Sequence, residues 1–272
     1  MLYNKGEITV NLPSGMGDIL FLLSFLENAG DECGSYVVNT AEVNSSLLDL
    51  FPSLSRKCHF NKDHLHSYFL RNGADISPKQ LWLKKCQHFL QGMSALFPQG
   101  LSPRRDIQIN AGDQKIFDLF NSLSCEGRKT VLIFPHATSV PLKNVSDEYW
   151  VNYAKKLEQH GFNPIFNSKE KFDSFNNIFL NIRETVIFAK LAGNIIAVRS
   201  GIIDVLLYFT RARAIVLYPN QPELDQEEFI ENFWDNPSKR QMEYFSLKKI
   251  FTEQAQDIQE LIFDENRYVI WD

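Results

Sequence analysis

The 272-residue chain lacks any apolar run long enough to cross a bilayer: the longest, Ile19 to Leu26, already contains Ser24, whereas a spanning helix needs about 20 apolar residues. No basic stretch leads into an apolar segment and a small-residue cleavage site at the N-terminus, so no signal peptide is expected. The four cysteines, Cys33, Cys58, Cys86 and Cys125, form no C-x-x-C pair, which argues against a zinc site or a disulfide scaffold and fits a reducing compartment. Positive charge is outnumbered, with 28 Lys and Arg against 33 Asp and Glu. A formal net charge of −5 argues against nucleic acid as the main partner, because binding a phosphate backbone calls for a clustered basic surface. Also missing are G-x-G-x-x-G, the Walker motif, D-x-D, H-E-x-x-H and G-x-S-x-G, which removes the best-marked routes to dinucleotide, triphosphate, metal and serine-nucleophile chemistry. The expectation is a cytoplasmic protein, at most peripheral to the cytoplasmic face of the membrane.

What is present is phenylalanine, 22 residues of it, enough for a well-filled core with aromatic surface to spare. Strand-like and helix-like segments alternate along the whole chain. Glu7–Leu12 reads as a strand and Asp18–Asn28 as a helix. Ser35–Asn39 is a second strand, Ala41–Phe51 a second helix stopped by Pro52, and Lys57–Phe60 a short third strand. Residues 62 to 97 carry apolar residues at helical spacing in KQLWLKKCQHFLQGM and are expected to be mainly helical. DIQIN at 106–110 closes this half as a strand, with a helix following from about Gly112 to Leu123.

The polar stretch NSLSCEGRK, residues 121–129, is the expected linker, dividing the chain into domains 1–126 and 127–272. The rhythm then restarts with TVLIF, a continuous apolar strand of the kind buried on both faces of a parallel sheet. A helix follows, capped by Ser146, with Asp147 and Glu148 in its first turn and Gly161 as its stop. NPIFN, NIIAVR and RAIVLYP are further strands, and RETVIFAKLAG and GIIDVLLYFT are helices between them. Past Pro219 the chain turns acidic and loop-like, before a last helix over Thr252–Phe263. Two βαβ arrays in succession predict an α/β protein of two Rossmann-like layers facing each other across a cleft. Ligands in such sheets bind beyond the carboxyl ends of the strands, so the loops that follow strands are the ones to inspect.

In RSGIID a strand ends and a helix begins, which points backbone N–H groups and a positive dipole end at that edge. Gly201 allows close approach of a phosphate, and Arg199 offers a charge-assisted contact. Equally, Ser200 is a plain N-cap and Gly201 a turn residue. PHATSVPLK brings together His136, Thr138, Ser139 and Lys143, a set suited to a diphosphate, on what should be the same sheet edge. PSGMGD is glycine-rich but has no lysine for phosphates. Its Asp18 either complements the helix dipole or serves as a general base whose apolar neighbours raise its pKa.

These residues resemble a known family. SGMGDILFLLSFL is similar to the N-terminal G-D-hydrophobic stretch of bacterial lipopolysaccharide heptosyltransferases, glycosyltransferase family 9. FPHATSVPLKNVSDEYWVNYAKKL resembles the segment that opens that family's second domain, and AKLAGNIIAVRSGIIDVLLYFTRARAIVLYP stands in the place of its donor-binding segment. The resemblance implies the GT-B fold and inverting, metal-independent transfer of a sugar from a nucleotide sugar to a hydroxyl of a cell-surface glycan: lipopolysaccharide, O-antigen or capsule. It makes the chain a hexosyl- or heptosyltransferase with no cofactor beyond its nucleotide-sugar substrate, no metal, and a glycan or lipid-linked glycan as acceptor.

By match, Asp18 is the base, with His136 the next candidate, and Ser14, Gly15, Met16 and Gly17 form the acceptor-side loop. His136, Thr138, Ser139, Lys143, Arg199, Ser200, Gly201, Ile202 and Asp204 fall on the donor side. Arg199 stands where the family has Asp, and Asp204 where it has His, which leaves ADP, GDP and UDP sugars all open as donors. Two rivals share the architecture: a non-catalytic nucleotide-sugar or glycan binding module, and a sugar-nucleotide epimerase.

Overall fold

The computed structural model describes residues 7–12, 15–30, 34–40, 42–61, 73–77, 81–84, 93, 95–102, 105–137, 145–218 and 247–251. The chain divides into two compact units, Met1–Arg104 and Arg105–Asp272. Among the described residues, no helix is long and apolar enough to cross a membrane.

The first unit is built on a five-stranded sheet in the order β3-β2-β1-β4-β5. Strands β1 (Ile8–Asn11), β2 (Tyr36–Asn39) and β3 (Cys58–Asn61) run parallel. Helix α1 (Met16–Ala29) connects β1 to β2, and its residues from Gly17 to Leu26 are all buried, as a helix that is apolar on every side requires. It stops at Gly30, whose φ of 60° is a left-handed conformation that glycine adopts without strain. Cys58 is fully buried, and burial pushes its thiol up to about 12, so it acts as a small apolar core residue.

Three expectations change, two in this unit and one, at DIQIN, in the second. The second helix is a 3-10 winding, Glu42–Leu50, followed by a 3-10 turn at Pro52–Leu54. Its Asn44-Ser45-Ser46 run is weakly helix-forming, because such side chains compete for the backbone. Within the expected helical region 62–97 lie two strands, β4 (Gly73–Ser77) antiparallel to β1, and β5 (Leu81–Lys84) antiparallel to β4. A short apolar run such as Leu81–Leu83 fits either period, and pairing with a neighbouring strand decides it. DIQIN forms no strand. The N–H groups of Arg105 and Ile107 donate instead to the carbonyls of Tyr208 and Phe209 at 3.2 and 2.9 Å, satisfying carbonyls that the end of a helix leaves open.

The second unit carries a six-stranded, wholly parallel sheet in the order β11-β10-β9-β6-β7-β8. Its central strands β6 (Thr130–Phe134) and β9 (Asn194–Val198) are buried at every residue. Around them stand β7 (Asn163–Asn167), β10 (Arg213–Tyr218) and two edge strands that the sequence pattern did not reveal, β8 (Asn176–Ile178) and β11 (Leu247–Phe251). The helices are α2 (Gln114–Ser122), α3 (Asp147–Gln159), α4 (Ile182–Ala192) and α5 (Gly201–Phe209). Trp150, Tyr153, Ala154 and Leu157 of α3 pack on Val131, Ile133, Phe166, Ile196 and Val198 of the sheet. Ser146 caps α3 by accepting from the Tyr149 N–H at 3.2 Å, as expected from its position.

The division between the units falls before residue 105, not in the polar turn at 121–129. Phe120 of α2 meets Phe188 of α4 edge-on at 5.2 Å. Arg183 of α4 donates to Asp113 at 3.0 Å from Nε and 2.7 Å from Nη2. The segment 105–126 is therefore held by the second unit, and the polar stretch is only a surface turn within it. The expected last helix, Thr252–Phe263, lies outside the described residues.

Candidate functional site

In the first unit the carboxyl edge of the parallel strands leads into α1. Gly15 is the N-cap position in an extended conformation, and a side chain there would meet no atom within 4 Å. Met16 and Gly17 open the helix, while Ser14 lies outside the described residues. Asp18, third in the helix, is only 5% exposed, and its N–H donates to the Gly15 carbonyl at 3.0 Å. A buried carboxylate at this spot gains from the positive end of the helix dipole. Three strands that end at this edge all end in asparagine, in register: Asn11 opposite Asn39, and Asn39 opposite Asn61. The Asn39 amide donates to the Asn11 side chain. The sequence signal for this row is the shared final Asn of ITVN, YVVN and CHFN.

In the second unit β6 and β9 are parallel neighbours, with Phe134 opposite Ala197. The chain therefore brings His136, two residues beyond Phe134, to the same edge as Arg199, Ser200 and Gly201. Thr138, Ser139 and Lys143 lie outside the described residues. Ser200 is extended and makes no cap hydrogen bond, and its buried hydroxyl has no partner among the described residues, an arrangement that costs energy unless something meets it. Gly201 and Ile202 open α5 and carry N–H groups with no acceptor inside the helix. The edge thus combines a helix N-terminus with an unmet hydroxyl, which suits an anion.

Arg199 and Asp204 work as a pair. The guanidinium Nη1 lies 3.0 Å from the Asp204 carboxylate and donates to the Ser200 carbonyl at 2.6 Å. Asp204, 3% exposed, sits in the first turn of α5, where its charge alone would repel an anion. Arg199 offsets that charge and holds the Arg199–Ser200 bend against the helix.

His136 faces two acids. Its Nε2 is 2.6 Å from Glu170 and 3.5 Å from Asp147, and its ring stacks on Phe172 at 5.9 Å. Neither acid was picked out from the sequence as a partner. Glu170 lies 34 positions from His136, and no local spacing links them.

No family model matches the chain, and no curated protein is similar to it in sequence. Solved structures are similar in fold. The ADP-heptose lipopolysaccharide heptosyltransferase II of E. coli superposes with a TM-score of 0.60 at 14% identity, covering 96% of this chain and 98% of its own. A glycosyltransferase family 9 protein of Veillonella parvula gives a TM-score of 0.60 at 10% identity, covering 98% of this chain and 93% of its own. Mixed α/β units, their parallel strands and these likenesses together give the chain the GT-B fold seen in heptosyltransferases of glycosyltransferase family 9.

Proposed function

We propose that this chain is an inverting glycosyltransferase that needs no metal for the transfer step and moves a sugar from a nucleotide sugar to a hydroxyl of a cell-surface glycan. The observation that carries the reading is Asp18, a 95%-buried carboxylate at the N-terminus of an otherwise apolar helix in a chain of this fold. A carboxylate there complements the helix dipole, and its place at the mouth of this helix puts it where a general base would act.

In the reaction Asp18 accepts the proton of the acceptor hydroxyl. The freed oxygen lone pair attacks the anomeric carbon, and the bond from that carbon to the donor phosphate oxygen breaks. The nucleoside diphosphate leaves with the bonding pair. The N-terminus of α5, the Ser200 hydroxyl and Lys143 offset the charge that builds on it. Electrostatic contacts of this kind are worth about 3 kcal/mol each in the transition state.

Asp18→Asn should lower turnover by at least about a hundredfold and leave nucleoside-diphosphate affinity within about twofold, read by thermal shift with ADP, GDP and UDP. ADP-heptose is the first donor to assay, being the sugar nucleotide in the name of one structural neighbour. Turnover near normal in the variant removes Asp18 as the base. A nucleotide sugar that binds but is neither transferred nor hydrolysed makes the chain a binding module.

A further inference from the structure

At the carboxyl edge of the second unit's sheet three donor groups converge from separate elements. His136 follows β6, Asp147 is the first residue of α3, and Glu170 lies in the loop after β7. One ligand atom from each lies within 4.8 Å of the others. We propose that His136, Asp147 and Glu170 form a binding site for a divalent transition-metal ion of the zinc type.

A plain ion pair accounts poorly for the arrangement. The imidazole Nε2 carries at most one hydrogen, yet it faces Glu170 Oε2 at 2.6 Å and Asp147 Oδ1 at 3.5 Å. One proton meets one carboxylate and leaves the second without a partner at that nitrogen. An ion with two positive charges satisfies both acids and the nitrogen lone pair together. Tetrahedral zinc, with bonds of about 2.0–2.2 Å to nitrogen and oxygen, sets its donor atoms about 3.4 Å apart. The His136 to Asp147 separation already has that value. Glu170 must move back by somewhat under an ångström, and its side chain is 63% exposed, so nothing packs against the shift.

The imidazole is the part least able to move. Phe172, 3% exposed, stacks on it and is itself stacked on Phe166 at 4.1 Å. One imidazole and two carboxylates suit zinc, with the remaining position open to water. A hard ion such as Mg2+ prefers oxygen alone and keeps several waters. Such a site ties the start of the β6 loop to α3 and to the β7 loop, and it does not depend on the sugar-transfer reading.

The full-length chain, freed of metal and of any histidine tag, is titrated with Zn2+ and with Mg2+ by calorimetry, and with Co2+ by visible absorption. The expected result is about one Zn2+ per chain, little response to Mg2+, and a cobalt spectrum of low-coordinate type. Glu170→Gln and His136→Ala should each weaken Zn2+ binding by tenfold or more. Metal-free melting temperatures of both variants should stay close to that of the parent, because the ligands are exposed. No Zn2+ binding by the parent overturns the proposal, as does binding that neither variant weakens, which places the ion at other histidines or thiols.

Discussion

Arg183 reaches out of α4 and donates two hydrogen bonds to Asp113, at 3.0 and 2.7 Å, and a third to the Gln108 carbonyl at 2.9 Å. The two bonds to Asp113 hold its carboxyl below the usual carboxylate range, the Arg183 side chain being the main cause. In the unfolded chain this carboxyl takes up a proton at about pH 4, and in the folded chain only at lower pH. The pair therefore stabilises the fold above that range and loses its effect as pH falls through the folded value. Asp113→Asn should lower unfolding free energy by about 2 kcal/mol near neutrality, measured by urea titration. The gap from the parent should close in strong acid. A gap that persists there means that the loss is one of packing, not of charge.

Helix ends explain much of how the second unit is assembled. At α4, Asn181 accepts from the Glu184 N–H at 2.9 Å, while the Glu184 carboxylate accepts from the Asn181 N–H at 3.2 Å. This capping box starts the helix. Gly193 ends it with φ of 76°, its N–H donating to the Ala189 carbonyl at 3.0 Å, and its own carbonyl accepts from Arg213 at 2.9 Å. A methyl group added at Gly193 would find Arg128 Cγ at 3.6 Å, an ordinary contact. The cost of Gly193→Ala is thus backbone strain alone, about 1–2 kcal/mol, to be read from chemical denaturation. A neutral outcome would show that the turn relaxes to another conformation. The Ser146 cap of α3 was legible beforehand, because cap chemistry is local, whereas the Asn181–Glu184 box of α4 was not picked out. Strands β4 and β5 were not legible, because GADIS carries few apolar residues and LWLK is too short to select a period until a partner strand does.

At the scale of the molecule, the two compact units divide between residues 104 and 105, upstream of the polar turn at 121–129. A fragment beginning at residue 105 keeps α2 over Phe188 and keeps Asp113 beside Arg183, whereas one beginning at 127 loses both. Fragment 105–272 should melt cooperatively by circular dichroism. Fragment 127–272 should be weaker by about 3–5 kcal/mol, the range for emptying an aromatic site in a core, or should fail to fold. Equal stability of the two would place α2 outside the unit's core. The polar composition of 121–129 reports only that the turn meets water, which an interdomain linker and a surface turn share.

The sequence by itself determined the alternation of strand and helix, the parallel second sheet through its fully apolar strands, and the loops worth inspecting. Each of these follows from periodicity or from a cap within a few residues. The position of Asp18 at a helix mouth was equally local, and its burial matches the apolar helix around it. Only the tertiary structure decided which partners the polar side chains take. Arg199 turns to Asp204, and His136 turns to two acids, one of them on another loop. Charges pair through space at hydrogen-bond distance, and strand order and register bring to that distance residues that lie far apart along the chain.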